Sequence, residues 1–305
     1  MPSLSISAKE LLASGVHYGH RVSRWNPKMK PFIHSKKNLI HIIDVRETIK
    51  GLVRAWHFLQ KLAARGELIL FVGTKRQAGA VIKAEATRCG MPYVSERWLG
   101  GTLTNYDTIR TRLGRLKEIE EWEADGTILR YSKKEQSAIN REKRKLLRNL
   151  DGLRRMDRLP ACLVIVDPQH EAIAVEEANK IGAATVALID TDGDPESIDI
   201  AIPGNDDSMK VVNITVGKLA DSILEGKAHP VGVPQPEEIS KAGAVSVSIP
   251  EKAGAINVGK GGRPRRASMP GRGERIGPAK PAPVNAPPPS APAAPVAPVA
   301  PQQGA

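Results

Sequence analysis

Short apolar runs alternate with helical stretches along most of the chain. Four runs have the length of strands and end at glycine or aspartate: LILFVG (68–73), CLVIVD (162–167), TVALID (185–190) and IDIAIPG (198–204). Helical stretches at 77–89 and 209–224 and a short strand at 93–94 lie between or after them. Continuous apolar strands are typical of a parallel sheet that is buried on both faces. The pattern therefore predicts a doubly wound α/β domain.

Residues 107–158 show no strand pattern. Two apolar stripes with helical spacing flank a break near Asp125-Gly126; they are Ile109, Leu113, Leu116, Ile119 and Ile139, Leu146, Leu150, Leu153, Met156. Such stripes predict an antiparallel helical hairpin that projects from the sheet domain. Its excess of basic residues favours an arm that reaches RNA or protein. A solvated hairpin whose charges only keep the protein in solution is the alternative.

The composition changes at His229. The segment 229–305 holds 16 of the 24 prolines and no aromatic residue, with a basic cluster at 260–275 before a Pro/Ala-rich end. It cannot bury enough apolar surface to offset its ordering entropy, so we expect a disordered tail. The basic cluster can touch RNA electrostatically, or it can be a solvated tail without a specific role.

Composition narrows the class of protein. The chain has 305 residues, two distant cysteines (Cys89 and Cys162) and 41% hydrophobic but only 4% aromatic residues. A disulfide framework and a cysteine-based zinc site therefore lose support. No apolar run approaches a membrane span, and the N-terminus lacks the features of a leader, so we expect a cytoplasmic protein.

The charge is distributed unevenly. The chain carries a net charge of +12; residues 1–76 hold 14 basic and 4 acidic side chains, whereas residues 159–229 hold 4 basic and 13 acidic. A concentrated basic segment attracts polyanions. We therefore expect one face directed at a nucleic acid and the acidic segment directed at solvent or a basic protein.

The basic N-terminal segment is the strongest candidate site. Cationic and planar side chains interleave here, which suits phosphate contact combined with stacking. The candidate RNA-binding residues are His17, His20, Arg21, Arg24, Trp25, Lys28, Lys30, Lys36 and Lys37. The alternative is that Trp25 and Phe32 pack on the core while the cations are solvated. A metal site is not expected, because no cysteine or carboxylate has a fitting local spacing to the histidines.

The loop after the first apolar run invites a nucleotide hypothesis. GTKRQAG (73–79) departs from a phosphate-binding P-loop, because Ala80 stands where the lysine is required. Lys75 and Arg76 can still meet an anion at a helix N-terminus. Asp167, Asp190 and Asp194 are interpreted as turn and cap residues. A nucleotide-dependent α/β enzyme that uses Lys75 and Asp190 remains the alternative function, although no catalytic motif is recognisable.

Long phrases of the chain resemble the bacterial ribosomal protein S2 family. They include LLASGVHYGHRVSRWNPKMKPFI, ILFVGTKRQAGAVIKAEATRCGMPYVSERWLGGTLTNYDTIRTRLGRL and DTDGDPESIDIAIPGNDDSMKVVNITVGKLADSI, and together the matching phrases cover about 225 residues. The resemblance implies a flavodoxin-like or Rossmann-like layered α/β fold with a mainly parallel sheet and an inserted coiled-coil hairpin. On this basis, residues 1–106 and 159–228 form the RNA-binding domain and residues 107–158 the hairpin.

The resemblance also implies a function. The family is a non-enzymatic constituent of the small ribosomal subunit. We predict no cofactor and no metal ligands for this chain. It binds 16S ribosomal RNA near the junction of head and body and helps recruit the subunit's OB-repeat mRNA-binding protein. The matching phrases GTKRQ and RWLGG add Lys75, Arg76, Arg97 and Trp98 to the expected RNA-binding residues.

Overall fold

A computed structural model describes residues 7–230 of the chain. The helices are α1 (Ala8–Ser14), α2 (Val45–Ala64), α3 (Arg76–Cys89), α4 (Tyr106–Ala124), α5 (Lys133–Leu150), α6 (Ala172–Ile181) and α7 (Met209–Ala228). The strands are β1 (Tyr18–Arg21), β2 (Ile33–Lys37), β3 (Ile40–Ile43), β4 (Ile69–Val72), β5 (Tyr93–Val94), β6 (Cys162–Val166), β7 (Ala184–Ile189) and β8 (Ile200–Pro203). From residue 231 onward, the tail predicted for 229–305 lies outside the described residues and stays a prediction.

Five strands form the predicted parallel sheet. Their order is β5-β4-β6-β7-β8, with Val72 opposite Ile165 and Val166 opposite Leu188. The four apolar runs correspond to β4, β6, β7 and β8, and the two strongest helical patterns to α3 and α7. The predicted α/β fold with a mainly parallel sheet is therefore confirmed.

Both faces of this sheet are covered by helices. In β4, Ile69 and Phe71 pack into a cluster with α2, α3 and α7, while Leu70 and Val72 pack on the opposite side with α6 and the base of α4 and α5. All four side chains are fully buried. Each such burial contributes roughly 1.5–3 kcal/mol, which explains why the strand is apolar at every position.

Helices α4 and α5 form the helical hairpin. Arg154, which follows α5, donates two hydrogen bonds to Glu120 of α4, at 2.8 and 2.7 Å. Lys143 of α5 pairs with Glu123 of α4, while within α4 the Arg115 guanidinium lies 4.6 Å from the centre of the Trp122 ring. Charged contacts thus join α4 to α5 and to the segment that follows it. The coiled-coil packing and the boundaries of the insertion stay predictions.

The N-terminal segment forms a second, smaller sheet that the apolar pattern does not predict. Its order is β1-β3-β2, with all pairs antiparallel. Four of the five residues of β2 are exposed, so the strand lacks the apolar alternation that marks a half-buried strand. Asn38 and Leu39, both with positive φ, form the two-residue turn between β2 and β3.

Candidate nucleic-acid interface

The small sheet is held against the loop that follows β7. The backbone N–H of His20 donates to the Thr191 hydroxyl at 2.9 Å, and the N–H of Asn26 donates to the Thr191 carbonyl at 2.8 Å. This loop lies at the carboxyl edge of the main sheet, where doubly wound folds place their binding sites. The candidate residues are therefore fixed at this edge rather than on a free arm.

Five of the predicted cations point to solvent. Arg21, Arg24, Lys30, Lys36 and Lys37 are exposed, and none forms an ion pair within residues 7–230. We call these five residues the open cations. They lie on β1, on β2 and on the two short 3₁₀ helices (Val22–Arg24 and Pro27–Phe32) that join these strands. Since no carboxylate of the described chain neutralises them, they can contact a polyanion without first breaking an internal pair.

Other predicted cations are paired with the acidic segment. Lys28 lies 2.8 Å from Asp194 and 2.5 Å from Glu196, and these contacts raise the pKa of Lys28. The expectation that the acidic segment faces solvent or a basic protein is wrong at these contacts. Part of the acidic segment binds the basic N-terminal segment of the same chain, because the chain order brings both to the carboxyl edge of the sheet.

Lys75 is enclosed by three carboxylates. Its Nζ lies 2.6 Å from Asp207, 2.8 Å from Asp206 and 3.3 Å from Asp167. Burial alone would lower the pKa of Lys75, but the hydrogen bonds to Asp206 and Asp207 outweigh burial and raise it. An RNA phosphate would have to compete with these three carboxylates for Lys75.

The crevice beside Lys75 is occupied by a side chain of the protein itself. The strand order reverses between β4 and β6, which is the place where related folds bind nucleotides. Here the buried Glu171 carboxylate accepts hydrogen bonds from the backbone N–H of Thr74 at 2.8 Å and from its hydroxyl at 2.5 Å. A carboxylate therefore takes the loop N–H that a phosphate would need. This arrangement disfavours the nucleotide hypothesis.

His20 lies among aspartates from distant parts of the chain. Its Nδ1 is 2.8 Å from Asp190, and this hydrogen bond is the main cause that raises the pKa of His20 to about 9. Ligand atoms of His20, Asp190 and Asp206 lie within 4.8 Å of one another, which is a donor set suited to a divalent metal. The expectation of no metal stays a prediction, but local spacing does not decide it, because the fold supplies carboxylates about 170 residues away. The missed signal is the pair of acidic phrases that follow β7 and β8.

The predicted aspartate roles are partly confirmed. Asp194 accepts a hydrogen bond from the Glu196 N–H at 3.0 Å, and Asp167 accepts one from the His170 N–H at 3.1 Å. Both are turn or cap contacts, as expected. All three carboxylates also pair with a basic side chain: Asp194 with Lys28, Asp167 with Lys75 and Asp190 with His20.

The aromatic candidates are less accessible than expected. Trp98 is 7% exposed, and its indole N–H donates to the buried Glu177 carboxylate at 3.1 Å. Its ring cannot stack on a base in this position, so the expected stacking contact of Trp98 is corrected to a structural role. Trp25 is half-buried with its ring centre 5.1 Å from that of His41, which supports core packing for part of this ring.

The remaining candidates are distributed around the same edge. His17 is half-buried against the Tyr18 ring, at 4.1 Å between ring centres. Arg76 opens α3, and Arg97 follows β5; both are exposed. The structure thus brings most of the predicted residues to one edge but separates them into open, acid-paired and buried groups.

Fold and site together define an α/β protein with a cationic edge and a nucleotide crevice filled by its own side chains. A family model described as "Ribosomal protein S2" matches residues 11–226. The chain is also similar to the "Small ribosomal subunit protein uS2" of Rhodopirellula baltica, with 59% identity over 221 residues that cover 72% of this chain and 85% of the relative.

The chain belongs to the ribosomal protein S2 family. It is accordingly a structural constituent of the small ribosomal subunit and takes part in translation; this family is not one of enzymes. Within residues 7–230, no helix combines the length and apolar character that a membrane span requires.

Proposed function

We propose that this protein binds 16S ribosomal RNA through the open cations, near the junction of head and body of the small subunit. It helps recruit the OB-repeat mRNA-binding protein of that subunit and acts in the cytoplasm as part of the ribosome. Residues 1–106 and 159–228 form the RNA-binding domain, and residues 107–158 form a hairpin that extends the interface. No covalent step belongs to this function.

The open cations carry this proposal. Five exposed cationic side chains lie on β1, on β2 and on the 3₁₀ helices between them, and hydrogen bonds to Thr191 hold this segment to the main fold. Unpaired cations on a folded segment can neutralise phosphates without the entropic cost of ordering a flexible arm. The buried position of Glu171 against Thr74 supports RNA over a mononucleotide, because it fills the alternative site.

The test is incorporation of charge-reversed protein into small subunits that lack this chain. We expect Arg24→Glu, Lys30→Glu and Lys36→Glu together to reduce cosedimentation at least tenfold, since each removes a phosphate contact and adds repulsion. Binding of the unaltered protein is expected to weaken steeply as salt rises.

The matched control reverses three exposed cations on α2 and at its C-terminal end, namely Arg54→Glu, Lys61→Glu and Arg65→Glu. It changes the net charge equally but leaves the small sheet intact. Equal losses in both triple variants would show that only net charge matters and would overturn the assignment of the interface. Circular dichroism of both variants reports whether the domain remains folded.

A further inference from the structure

A groove lies at the root of the helical hairpin, away from the open cations. It has a volume of about 460 Å³ and is bounded by the loop Leu99–Gly101, by α4 and by α5. Its floor is apolar and includes Ile109, Leu146 and Leu150. We call this groove the hairpin-root pocket. Its volume is within the range of about 300–1,000 Å³ that small-ligand sites occupy.

Two cations stand at the pocket from opposite helices. Arg112 on α4 and Lys145 on α5 are both exposed lining residues, and neither forms an ion pair within residues 7–230. The one acidic lining residue, Glu142, lies 3.6 Å from Arg115 and is thus already paired. The pocket therefore offers two unneutralised positive charges beside an apolar floor.

The pocket also holds a polar group without a partner. Asn149 lines it, and the buried amide oxygen of Asn149 accepts no hydrogen bond from any residue of the described chain. An unpaired buried amide oxygen is unfavourable, so a ligand that donates a hydrogen bond to it would be stabilised. Rotation about the Cβ–Cγ bond would break no hydrogen bond of this oxygen.

The rim of the pocket permits close approach. At Gly100, a side-chain Cβ would meet no atom within 4 Å, so the backbone there is open to a ligand. The loop itself is rigid, because the Glu177 carboxylate accepts hydrogen bonds from the N–H groups of Gly101 (2.7 Å) and Leu103 (2.9 Å). The rim is thus preorganised for binding.

We propose that the hairpin-root pocket receives one nucleotide extruded from the ribosomal RNA. Its base lies on the apolar floor with an edge amino group toward Asn149, and its phosphate lies between Arg112 and Lys145. A nucleotide combines a flat apolar ring with a negative charge, whereas no amino-acid side chain carries both at neutral pH. The proposal deepens the proposed function, on which it rests, by naming a second contact and its ligand.

A photo-crosslink identifies the occupant. Gly100→p-benzoylphenylalanine places a photoreactive ring at the open rim, and the full-length protein is incorporated into small subunits before irradiation. We expect a crosslink to 16S ribosomal RNA that maps to one nucleotide. A crosslink to a protein, or no crosslink from an incorporated protein, would overturn the proposal.

Substitutions in the pocket provide an independent measure. We expect Asn149→Leu to weaken incorporation roughly fivefold to tenfold, the effect of one lost hydrogen bond at an interface, without lowering the stability of the free protein. If leucine does not fit at this position, Asn149→Ala is used as the test variant instead. In either variant, the crosslinked nucleotide becomes more reactive to chemical modification. A variant that binds and protects this nucleotide like the unaltered protein contradicts the assignment.

The charges are tested against a matched pair on the same hairpin. Arg112→Gln with Lys145→Gln is expected to reduce the salt dependence of binding, with a slope smaller by about 1 because both cations contact the same phosphate, and to expose the crosslinked nucleotide. Lys134→Gln with Arg141→Gln removes equal charge from exposed positions outside the pocket and is expected to leave that nucleotide protected. If the crosslinked nucleotide becomes equally exposed in both double variants, the assignment of the pocket as its binding site is refuted. If the unaltered protein fails to enter small subunits, the proposed function itself fails.

Discussion

The buried carboxylate of Glu177 is expected to be the main support of the loop that joins β5 to the hairpin. Glu177 is 4% exposed, and its two oxygens accept hydrogen bonds from five donors. They are the Trp98 indole N–H (3.1 Å), the N–H groups of Gly101 (2.7 Å), Leu103 (2.9 Å) and Thr104 (3.2 Å), and the Thr104 hydroxyl (3.4 Å). No lysine or arginine of the described chain pairs with it, so hydrogen bonds alone stabilise this charge.

Glu177→Gln keeps the shape of the side chain but reverses half of its hydrogen-bonding character. One carboxylate oxygen accepts from Trp98 and Gly101, and the other accepts from Leu103 and twice from Thr104. In the glutamine, an NH₂ group replaces one of these oxygens and therefore faces either two donors or three. In the better orientation, the donors of Trp98 and Gly101 lose their acceptor. At about 1–3 kcal/mol for each unsatisfied buried donor, we expect the free energy of unfolding to fall by about 3–5 kcal/mol.

The assay is chemical denaturation monitored by tryptophan fluorescence and by circular dichroism. Glu176→Gln is the matched control, because this neighbouring carboxylate is exposed and lies 3.9 Å from Lys180. We expect the control to change the free energy of unfolding by less than about 0.5 kcal/mol. A loss below about 1 kcal/mol in Glu177→Gln would refute the reasoning, since it would mean that the loop finds other acceptors at little cost.

The pH dependence of stability provides an independent test of the role of Glu177. Burial alone would raise the pKa of Glu177, but the hydrogen bonds from Leu103, Gly101, Trp98 and Thr104 outweigh burial and lower it. A lowered pKa in the folded state stabilises the fold above the ordinary glutamate pKa, and this contribution disappears as pH falls through the folded value. The stability difference between the unaltered protein and Glu177→Gln should therefore be constant near neutral pH and shrink in acid.

Two further predictions concern packing and the His20 pair. Gly51→Ala should destabilise the fold by about 1–3 kcal/mol in thermal unfolding, since its Cβ would lie 2.6 Å from the Ala201 carbonyl oxygen. Gly217→Ala, in open space on α7, should not destabilise it. Because the His20 pKa is raised to about 9, its stabilisation is complete below pH 6.5 and lost as pH rises through 9. His20→Gln should remove this decline in denaturation curves with chelator present; an unchanged decline contradicts the Asp190 pair.

The main sheet could be predicted from the sequence because a strand that is buried on both faces must be apolar at consecutive positions. Each central strand is apolar at consecutive positions, and the helices between them carry stripes spaced by three or four residues. The strands of the small sheet show no such apolar pattern. Its strand β2 reads IHSKK, with its last four residues exposed, and its position depends on hydrogen bonds to Thr191, more than 150 residues away.

The candidate site could be predicted only in part for the same reason. Residue type and segment were sufficient to find a cationic region, but not to decide which cations remain unpaired. That decision depends on tertiary contacts: Asp194 and Glu196 bind Lys28, while Lys30, two residues further along the chain, has no acidic partner among the described residues. Trp98 likewise reads as an exposed stacking residue until the buried Glu177 is placed beside its ring.

The acidic segment thus has a role in the interface, although it carries the wrong sign to touch RNA. By pairing with His20 and Lys28, it fixes the N-terminal segment to the main sheet. The His20–Asp190 contact is partly buried, so salt screens it only weakly, whereas the Lys28 pair is exposed to screening. The open cations on the outer side are left without partners and project from a fixed surface. The opposite charges of the two segments therefore act in sequence: attraction within the chain orders the surface, and the unpaired remainder of the positive charge is available to an external polyanion.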